Sequence, residues 1–139
     1  MNRVDLHMHS NYSHDADLAV AELIKIAKEK DLAAISITDH NSTAAIDEAL
    51  ELTANDQLEV IPGIEFDTNY GDNILHILGY YLDWQSPKID QLLDGMEEAK
   101  EEQFYQRIER LQELGFSITA SEVLDKADVE RPLGGFIAE

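Results

Sequence analysis

Two histidines near the N-terminus, His7 and His9, are separated by one residue and follow a short apolar strand predicted at residues 4–6. Side chains two positions apart on a strand point to the same face, so the two imidazoles could grip one metal ion. Alone, this pattern is weak evidence, because paired histidines also occur as ordinary surface or hydrogen-bonded residues. The pair therefore predicts a metal site only when other candidate ligands lie nearby.

Further histidines and carboxylates lie in or just after the predicted strands. His40 directly follows Asp39, and a carboxylate beside an imidazole is the usual pairing around protein-bound metals. Glu65 lies in an apolar strand end, where an acidic side chain is rare unless it is paired or bound to metal. Taken singly, His40 could be a loop histidine and His76 a core histidine. Taken together, the set predicts a metal centre formed by His7, His9, Asp15, His40, Glu65 and His76.

The composition limits the chemistry of this centre. The chain has no cysteine, so any metal must be held by imidazole and carboxylate groups. Its 10 basic and 29 acidic residues give a net charge of −19, so we expect no broad surface for nucleic acid. The acidity does not exclude an anionic substrate, because bound divalent cations can reverse the local sign of charge.

The sequence contains no apolar run near the roughly 20 residues that a membrane span needs. The N-terminus also lacks the basic start and the long apolar stretch of a signal peptide. We therefore expect a cytoplasmic protein that has no membrane partner.

Apolar patterning predicts the elements that must position the candidate ligands. Predicted strands cover residues 4–6, 33–38, 58–61 and 74–82, and predicted helices cover residues 18–30 and 43–54. This order favours an α/β fold with a largely parallel sheet or barrel. Barrels of this class carry their sites at the C-terminal ends of the strands, which is where the candidate ligands cluster.

The character of the sequence changes after Asp83. Apolar residues at helical spacing predict a long helix at residues 88–114, and Thr119 with Glu122 predicts a capping box that opens another. We therefore divide the chain into a metal-binding α/β domain, residues 1–87, and a helical segment, residues 88–139. Four strands do not close a barrel, so the fold is expected to be incomplete.

Four segments resemble motifs of the PHP (polymerase and histidinol phosphatase) family. They are Asp5-Leu-His-Met-His-Ser-Asn-Tyr-Ser13, Ile37-Thr-Asp-His-Asn41, Ile61-Pro-Gly-Ile-Glu65 and Ile74-Leu-His-Ile-Leu-Gly79. The resemblance spans residues 1–83 and is greatest to the stand-alone metal-dependent phosphoesterases of that family, some of which act on nucleotide phosphates. Residues 88–139 resemble the start of the helical insertion that such proteins carry.

The resemblance implies the N-terminal part of a distorted (β/α)7, TIM-like barrel, with three metals at its strand ends. His7 and His9 would hold the first ion. Glu65 would bridge the first and second ions, and His76 would hold the second. Two or three divalent ions are expected, and Mn, Fe and Zn all suit ligands of this kind.

The resemblance assigns the third ion to His40 and to an acid that follows Ser13. Family members often have Ser-Asp-Gly at this point, whereas this chain has Ser13-His14-Asp15-Ala16. A one-residue insertion makes Asp15 the ligand; without it, His14 occupies the position. We favour Asp15, because a carboxylate suits a hard ion.

Enzymes of the family take further ligands from a later histidine-containing strand and from a terminal Asp-x-His. This chain has no histidine after His76. We therefore expect that a missing C-terminal half or a second chain completes the site. An apparent helix at residues 136–139 favours a piece of a longer protein.

The predicted function is hydrolysis of a phosphomonoester by a metal-bound hydroxide. Its substrate would be a small phosphorylated molecule such as a nucleotide or a short oligonucleotide. Asp39 and Glu65 are the candidate catalytic residues, Asp39 because it could orient His40. Two alternatives stay open: a truncated metal-binding fragment without activity, and an amidohydrolase-type metal hydrolase, which also begins with two histidines on a barrel strand.

Overall fold

The computed structural model describes residues 3–71 and 73–127. The chain divides into two compact units, Met1–Ile89 and Asp90–Glu139, and every candidate ligand lies in the first. The predicted domain boundary at residues 87 and 88 stays a prediction. The helix expected at residues 136–139 lies outside the described residues.

Two strand–helix–strand crossovers build a parallel sheet in the first unit. Its elements are β1 (Arg3–Met8), α1 (Val20–Glu29), β2 (Leu32–Ile37), α2 (Ala44–Thr53) and β3 (Glu59–Val60). The strands lie in the order β1-β2-β3, and both pairs are parallel. Parallel neighbours need a long crossover, which each helix supplies here. The α/β class expected from the element order is therefore present.

The core of this unit lies between the sheet and the two helices. Helix α1 buries residues at the three- and four-residue spacing of one helical face, and the second half of β2 is fully buried. The core cluster contains Val20, Leu23, Ile24, Ala27, Ile35, Ile37, Ala45, Ala49 and Leu58. Burying one large apolar side chain is worth about 1.5–3 kcal/mol, so this packing holds the ends of β1 and β2 in place.

The next two strands, β4 (Gly63–Tyr70) and β5 (Asn73–Tyr80), form an antiparallel pair. The expectation of a largely parallel sheet thus holds for β1 to β3 and is wrong for β4 and β5. The physical reason is the length of the connection: the two residues between these strands can make a hairpin but not a crossover. Gly71 in this turn has a φ of 61°, a conformation that glycine adopts without steric cost. Neither described sheet closes into a barrel.

A short parallel bridge joins the end of β2 to the start of β4. The backbone N–H of Glu65 donates to the carbonyl of Asp39 at 3.2 Å, and the N–H of Asn41 donates to the carbonyl of Glu65 at 2.8 Å. His40 and Glu65 are therefore neighbours across the bridge, although they are far apart in sequence.

The second unit contains most of α3 (Pro87–Glu113) and all of α4 (Ala120–Ala127). The predicted capping box is confirmed: the N–H of Thr119 donates to Glu122 Oε2 at 2.9 Å, and the N–H of Glu122 donates to Thr119 Oγ1 at 3.3 Å. A small core forms around Phe104, Ile108 and Val123. Of the helices that the structure describes, none is both long enough and apolar enough to cross a membrane.

Candidate metal centre

One buried carboxylate, that of Glu65, lies among four of the candidate histidines. Its Oε2 atom is 2.8 Å from His7 Nε2, 2.9 Å from His9 Nε2 and 3.8 Å from His40 Nε2. Its Oε1 atom is 3.0 Å from His76 Nδ1. Glu65 is only 3% exposed, so it contacts these rings rather than solvent. A carboxylate with imidazoles at both oxygens is suited to lie between two cations.

The strands explain how the four rings meet. His7 and His9 stand two positions apart at the end of β1, and their ring centroids are 5.1 Å apart, as the shared face requires. His40 follows β2, and its ring lies 4.7 Å from that of His9 on one side and 4.7 Å from that of His76 on the other. Strand β5 supplies His76. Strand β1, the segment after β2, and β5 thus contribute one continuous row of imidazoles.

Asp15 lies at the other side of His40. Its Oδ1 atom is 3.0 Å from His9 Nδ1, and its Oδ2 atom is 3.5 Å from His40 Nε2. The Ser13 hydroxyl donates to Oδ1 at 2.6 Å. Burial acts to raise the pKa of the Asp15 carboxyl, but hydrogen bonds from Ser13 and His9 and positive charge at His9 and His40 outweigh it, so the pKa is lowered.

The alternative residue, His14, is exposed, and its ring centroid is 5.0 Å from that of His40. Of the two candidates that the sequence leaves open, Asp15 has a carboxylate that contacts both His9 and His40. Which of them binds metal stays a prediction.

The Glu65 carboxyl shows the same balance of effects. Burial acts to raise its pKa, but the hydrogen bond with His7 and positive charge at His40, His7 and His9 outweigh burial, so the pKa is lowered. The carboxylate therefore keeps its negative charge at neutral pH, which is the form that binds a cation.

Asp39 contacts a different residue from the one expected. It is 1% exposed, its Oδ1 atom accepts from the Ser10 N–H at 2.6 Å, and its Oδ2 atom accepts from the Ser10 hydroxyl at 2.6 Å. These contacts give Asp39 a partner other than the expected His40, and its role in orienting His40 stays a prediction. Its carboxylate instead connects the loop after β2 to the loop after β1, and any catalytic role stays untested.

Asp67 is a residue of the site that the sequence analysis missed. Its Oδ1 atom lies 2.6 Å from His40 Nδ1, and the side-chain amide of Asn41 donates to its Oδ2 atom at 2.8 Å. The sequence could have indicated Asp67 as a further candidate, because it lies two residues after Glu65. On a strand this spacing places both carboxylates on one face.

Three overlapping groups of these side chains could each hold an ion. They are His7, His9 and Glu65; His9, Asp15 and His40; and His40, Asp67 and His76, with the donor atoms of each group within 4.8 Å of one another. An ion bound at about 2.0–2.2 Å holds tetrahedral ligands roughly 3.4 Å apart, which these groups can reach with small movements. An open cleft of about 530 Å³ is lined by His7, His9, Asp15, Ala16, His40, Glu65 and His76. The donor set therefore fits divalent metals that accept nitrogen and oxygen ligands.

Comparison with known proteins places these residues in a family. A sequence profile of the PHP domain matches residues 5–128. The chain is 30% identical over 121 residues to the 3',5'-nucleoside bisphosphate phosphatase of Chromobacterium violaceum, a match that covers 87% of this chain and 40% of that protein. It is 32% identical over 114 residues to a 5'-3' exoribonuclease of Haemophilus influenzae, covering 81% of this chain and 41% of that protein. The chain thus spans about 40% of the length of these relatives.

The fold of the chain is also similar to that of two solved structures. One is described as an amidohydrolase from Chromobacterium violaceum with bound sulfate and no metal; it has a TM-score of 0.69 and 28% identity, covering 84% of this chain and 40% of that one. Another, from Bifidobacterium adolescentis, has been assigned as a metal-dependent phosphoesterase; it has a TM-score of 0.69 and 26% identity, covering 93% of this chain and 44% of that one.

Proposed function

Because this chain belongs to the PHP domain family, we propose that it carries part of a divalent-metal centre that hydrolyses phosphoesters. The observation that carries the proposal is the buried Glu65 carboxylate, which four imidazoles surround within 3.8 Å. A cluster of this kind suits cation binding, because neutral imidazole and ionised carboxylate are both metal ligands.

Each side chain has a proposed role in holding the ions. His7, His9 and Glu65 would hold one ion, and Glu65 and His76 would hold a second. Such ions would supply a hydroxide nucleophile at neutral pH and would screen the charge of the phosphate oxygens.

The third proposed position lies between Asp15 and His40. The Ser13 hydroxyl holds the Asp15 carboxylate toward this space through its 2.6 Å hydrogen bond. The lowered pKa of the carboxyl keeps Asp15 charged and ready to accept a cation. Two or three ions are therefore proposed, and their identity among Mn, Fe and Zn is left to metal analysis.

A small phosphorylated molecule is the proposed substrate. The two relatives described above are named for a nucleoside bisphosphate and for RNA, and both names involve a phosphoester. The net charge of −19 disfavours a long nucleic-acid surface, so a nucleotide or a short oligonucleotide is the substrate class that we propose.

We also propose that β1 to β5 form the N-terminal part of a distorted seven-stranded barrel, with residues 88–139 starting a helical insertion. The exposed apolar side chains of β5 support this proposal: Ile74 is 70% exposed, Leu75 45% and Ile77 52%. Further strands, from the same polypeptide or from a second chain, would cover such a surface.

A metal-binding module without activity is the second candidate. The observation that favours it is the open architecture, because the described strands form sheets of three and two strands only. A PHP chain of this extent could bind ions at Glu65 and still lack ligands that the reaction needs.

Hydrolysis assays with metal analysis distinguish these candidates. We would measure phosphate release from a nucleoside 3',5'-bisphosphate and nitrophenol release from bis(p-nitrophenyl) phosphate, each with added Mn²⁺. Glu65→Gln removes the central carboxylate, and Glu59→Gln is a matched control on an exposed residue of β3. In a protein whose further strands complete the site, we expect hydrolysis with the unaltered sequence and with the control, and a loss in Glu65→Gln larger than the roughly 10–100-fold caused by losing an outer partner of a ligand.

The other outcomes have separate meanings. Two or three tightly bound ions without hydrolysis of any phosphoester would support the module without activity. Faster hydrolysis of an amide than of either phosphoester would support the amidohydrolase alternative. Absence of bound ions would contradict both the phosphoesterase and the module.

A further inference from the structure

Asp67 contacts the side of the His40 ring that faces away from the proposed third ion. The Nδ1 atom of His40 is 2.6 Å from Asp67 Oδ1, whereas its Nε2 atom is 3.5 Å from Asp15 Oδ2 and 3.8 Å from Glu65 Oε2. The two ring nitrogens therefore face two different groups of carboxylates. The ring is 6% exposed, so these neighbours rather than water set its environment.

A neutral imidazole carries its proton on one nitrogen and a lone pair on the other. An ionised carboxylate accepts hydrogen bonds but cannot donate them, so a contact of 2.6 Å to Asp67 favours the proton on Nδ1. The lone pair is then on Nε2, which points toward Asp15 and Glu65. Metal-binding histidines commonly have a carboxylate at the opposite nitrogen, which fixes both the tautomer and the ring orientation.

Asn41 holds the Asp67 carboxylate in the position that this contact needs. Its side-chain amide donates to Asp67 Oδ2 at 2.8 Å, and its carbonyl oxygen accepts from the Asp67 backbone N–H at 2.9 Å. Asn41 has a φ of 50°, a left-handed conformation that asparagine tolerates better than most residues. The Asn41 side chain thus extends the parallel bridge between the segment after β2 and the start of β4, because it forms two hydrogen bonds with Asp67.

Asp67 also lies opposite His76 in the β4–β5 pair, with Oδ1 3.7 Å from His76 Nε2. This longer distance compares with 2.6 Å to His40 Nδ1. The shorter contact identifies His40 as the main partner of the carboxylate.

We propose that Asp67, held by Asn41, is a positioning residue that fixes His40 as the Nδ1–H tautomer and so presents Nε2 to the third ion proposed beside Asp15. This inference rests on the proposed function, because it assigns a partner to one ligand of the same centre. It concerns an aspartate that no motif of the sequence analysis included. Asp67 acts through His40 and does not itself bind the ion.

The tautomer of His40 can be read without any metal. Long-range ¹H–¹⁵N correlation NMR of the metal-free protein, at a pH where the ring is neutral, distinguishes the protonated from the unprotonated ring nitrogen. We expect Nδ1 to carry the proton in the unaltered protein. A proton on Nε2 would overturn the proposal whether or not the chain binds metal.

The variant Asp67→Asn keeps the size of the side chain and changes its hydrogen bonding. Because the Asn41 amide needs an acceptor, the new carbonyl oxygen faces Asn41 and the new NH₂ group faces His40 Nδ1. We expect the His40 proton to move to Nε2 and the affinity for one Zn²⁺ ion, measured by calorimetry, to fall about 10–100-fold. The ions at Glu65 should be retained, and the control Glu59→Gln should change neither measurement.

Two further results would overturn the proposal. One is binding of Zn²⁺ or Cd²⁺ to His40 Nδ1, which would make Asp67 a ligand beside it. The other is an Asp67→Asn protein that retains both the tautomer and the affinity of the unaltered chain. If the unaltered chain binds no ion, the proposed function fails, and the metal-free tautomer measurement still decides the role of Asp67.

Discussion

Single carboxylates organise the site through the histidines that they contact. Glu65 joins rings from three strand segments, Asp15 joins His9 to His40, and Asp67 lies behind His40. Burial disfavours a charged carboxylate, but the surrounding imidazoles compensate, and the pKa values of Glu65 and Asp15 are lowered as a result. A bound cation would stabilise a cluster of acids and histidines of this kind, because it offsets the negative charge of the carboxylates.

Asp15 and His14 can be distinguished by substitution. We expect Asp15→Asn to lower the number of Mn²⁺ ions bound per chain, because its carboxylate lies between His9 and His40. We expect His14→Ala to leave this number unchanged, because the groups of possible ligands among the described residues include Asp15 and not His14. Metal analysis of the purified variants after gel filtration measures both. Loss of an ion in His14→Ala with full occupancy in Asp15→Asn would reverse the assignment.

Asp39 is expected to contribute to stability through Ser10. Both of its oxygens accept hydrogen bonds at 2.6 Å in a buried position, and a hydrogen bond to a charged group is worth about 1.5–3 kcal/mol. We expect Asp39→Asn to lower the free energy of unfolding of the metal-free chain by about this amount in urea denaturation. Glu59→Gln, at an exposed position, should change it by less than about 0.5 kcal/mol.

A double-mutant cycle with Ser10→Ala identifies the partner. If Asp39 acts through Ser10, the two substitutions together should cost clearly less than the sum of their separate effects. Asp39→Asn with unchanged stability but impaired metal binding would instead show that Asp39 acts on the metal centre.

Strand β4 can carry Glu65 into the site only because it approaches β2 closely. A Cβ atom added at Gly63 would lie 2.2 Å from Ser36 Oγ and 2.9 Å from Thr38 Cγ2. Both neighbours are buried, so neither can move without disturbing the packing of β2. The requirement for glycine here comes from space rather than from an unusual backbone angle.

We expect Gly63→Ala to destabilise the chain by about 1–3 kcal/mol, the usual cost of overpacking a core. Gly95→Ala in α3 is the matched control, because nothing lies within 4 Å of the added methyl group. For Gly95→Ala we expect the free energy of unfolding to rise by about 0.5–1 kcal/mol, because alanine is more stable than glycine inside a helix. Urea denaturation followed by circular dichroism measures both. A Gly63→Ala chain as stable as the unaltered one would contradict the close packing of β4 on β2.

The whole chain carries a net charge of −19, and its candidate ligands all lie in the first of its two compact units. Ions that bind the folded state and not the unfolded state stabilise the fold in proportion to the logarithm of their concentration. The proposed site therefore predicts that metal stabilises the first unit, which carries the ligands.

We expect Mn²⁺ at 100 times its dissociation constant to raise the free energy of unfolding by about 2.7 kcal/mol per ion, and a chelator to reverse this gain. Hydrogen exchange should show the added protection in β1, β2, β4 and β5, which carry or adjoin the ligands. Glu65→Gln should remove most of the effect. Equal stabilisation of Glu65→Gln and the unaltered chain would mean that Mn²⁺ binds elsewhere on this acidic protein.

The sequence by itself determined the α/β class, the family and the residue types of the site. These follow from local information: the spacing of apolar residues indicates helices and strands, and His7-x-His9 with Glu65 and His76 forms recognisable motifs. Even the capping box at Thr119 could be predicted, because it depends on residues three positions apart.

Only the tertiary structure decided which side chains meet. Asp39 bonds to Ser10, 29 positions away, rather than to its neighbour His40, and Asp67 reaches His40 from 27 positions away. The direction of β5 likewise depended on how its hairpin pairs with β4. Such contacts depend on which strands become neighbours and in which register, and a one-residue change of register would turn every side chain of a strand to the opposite face.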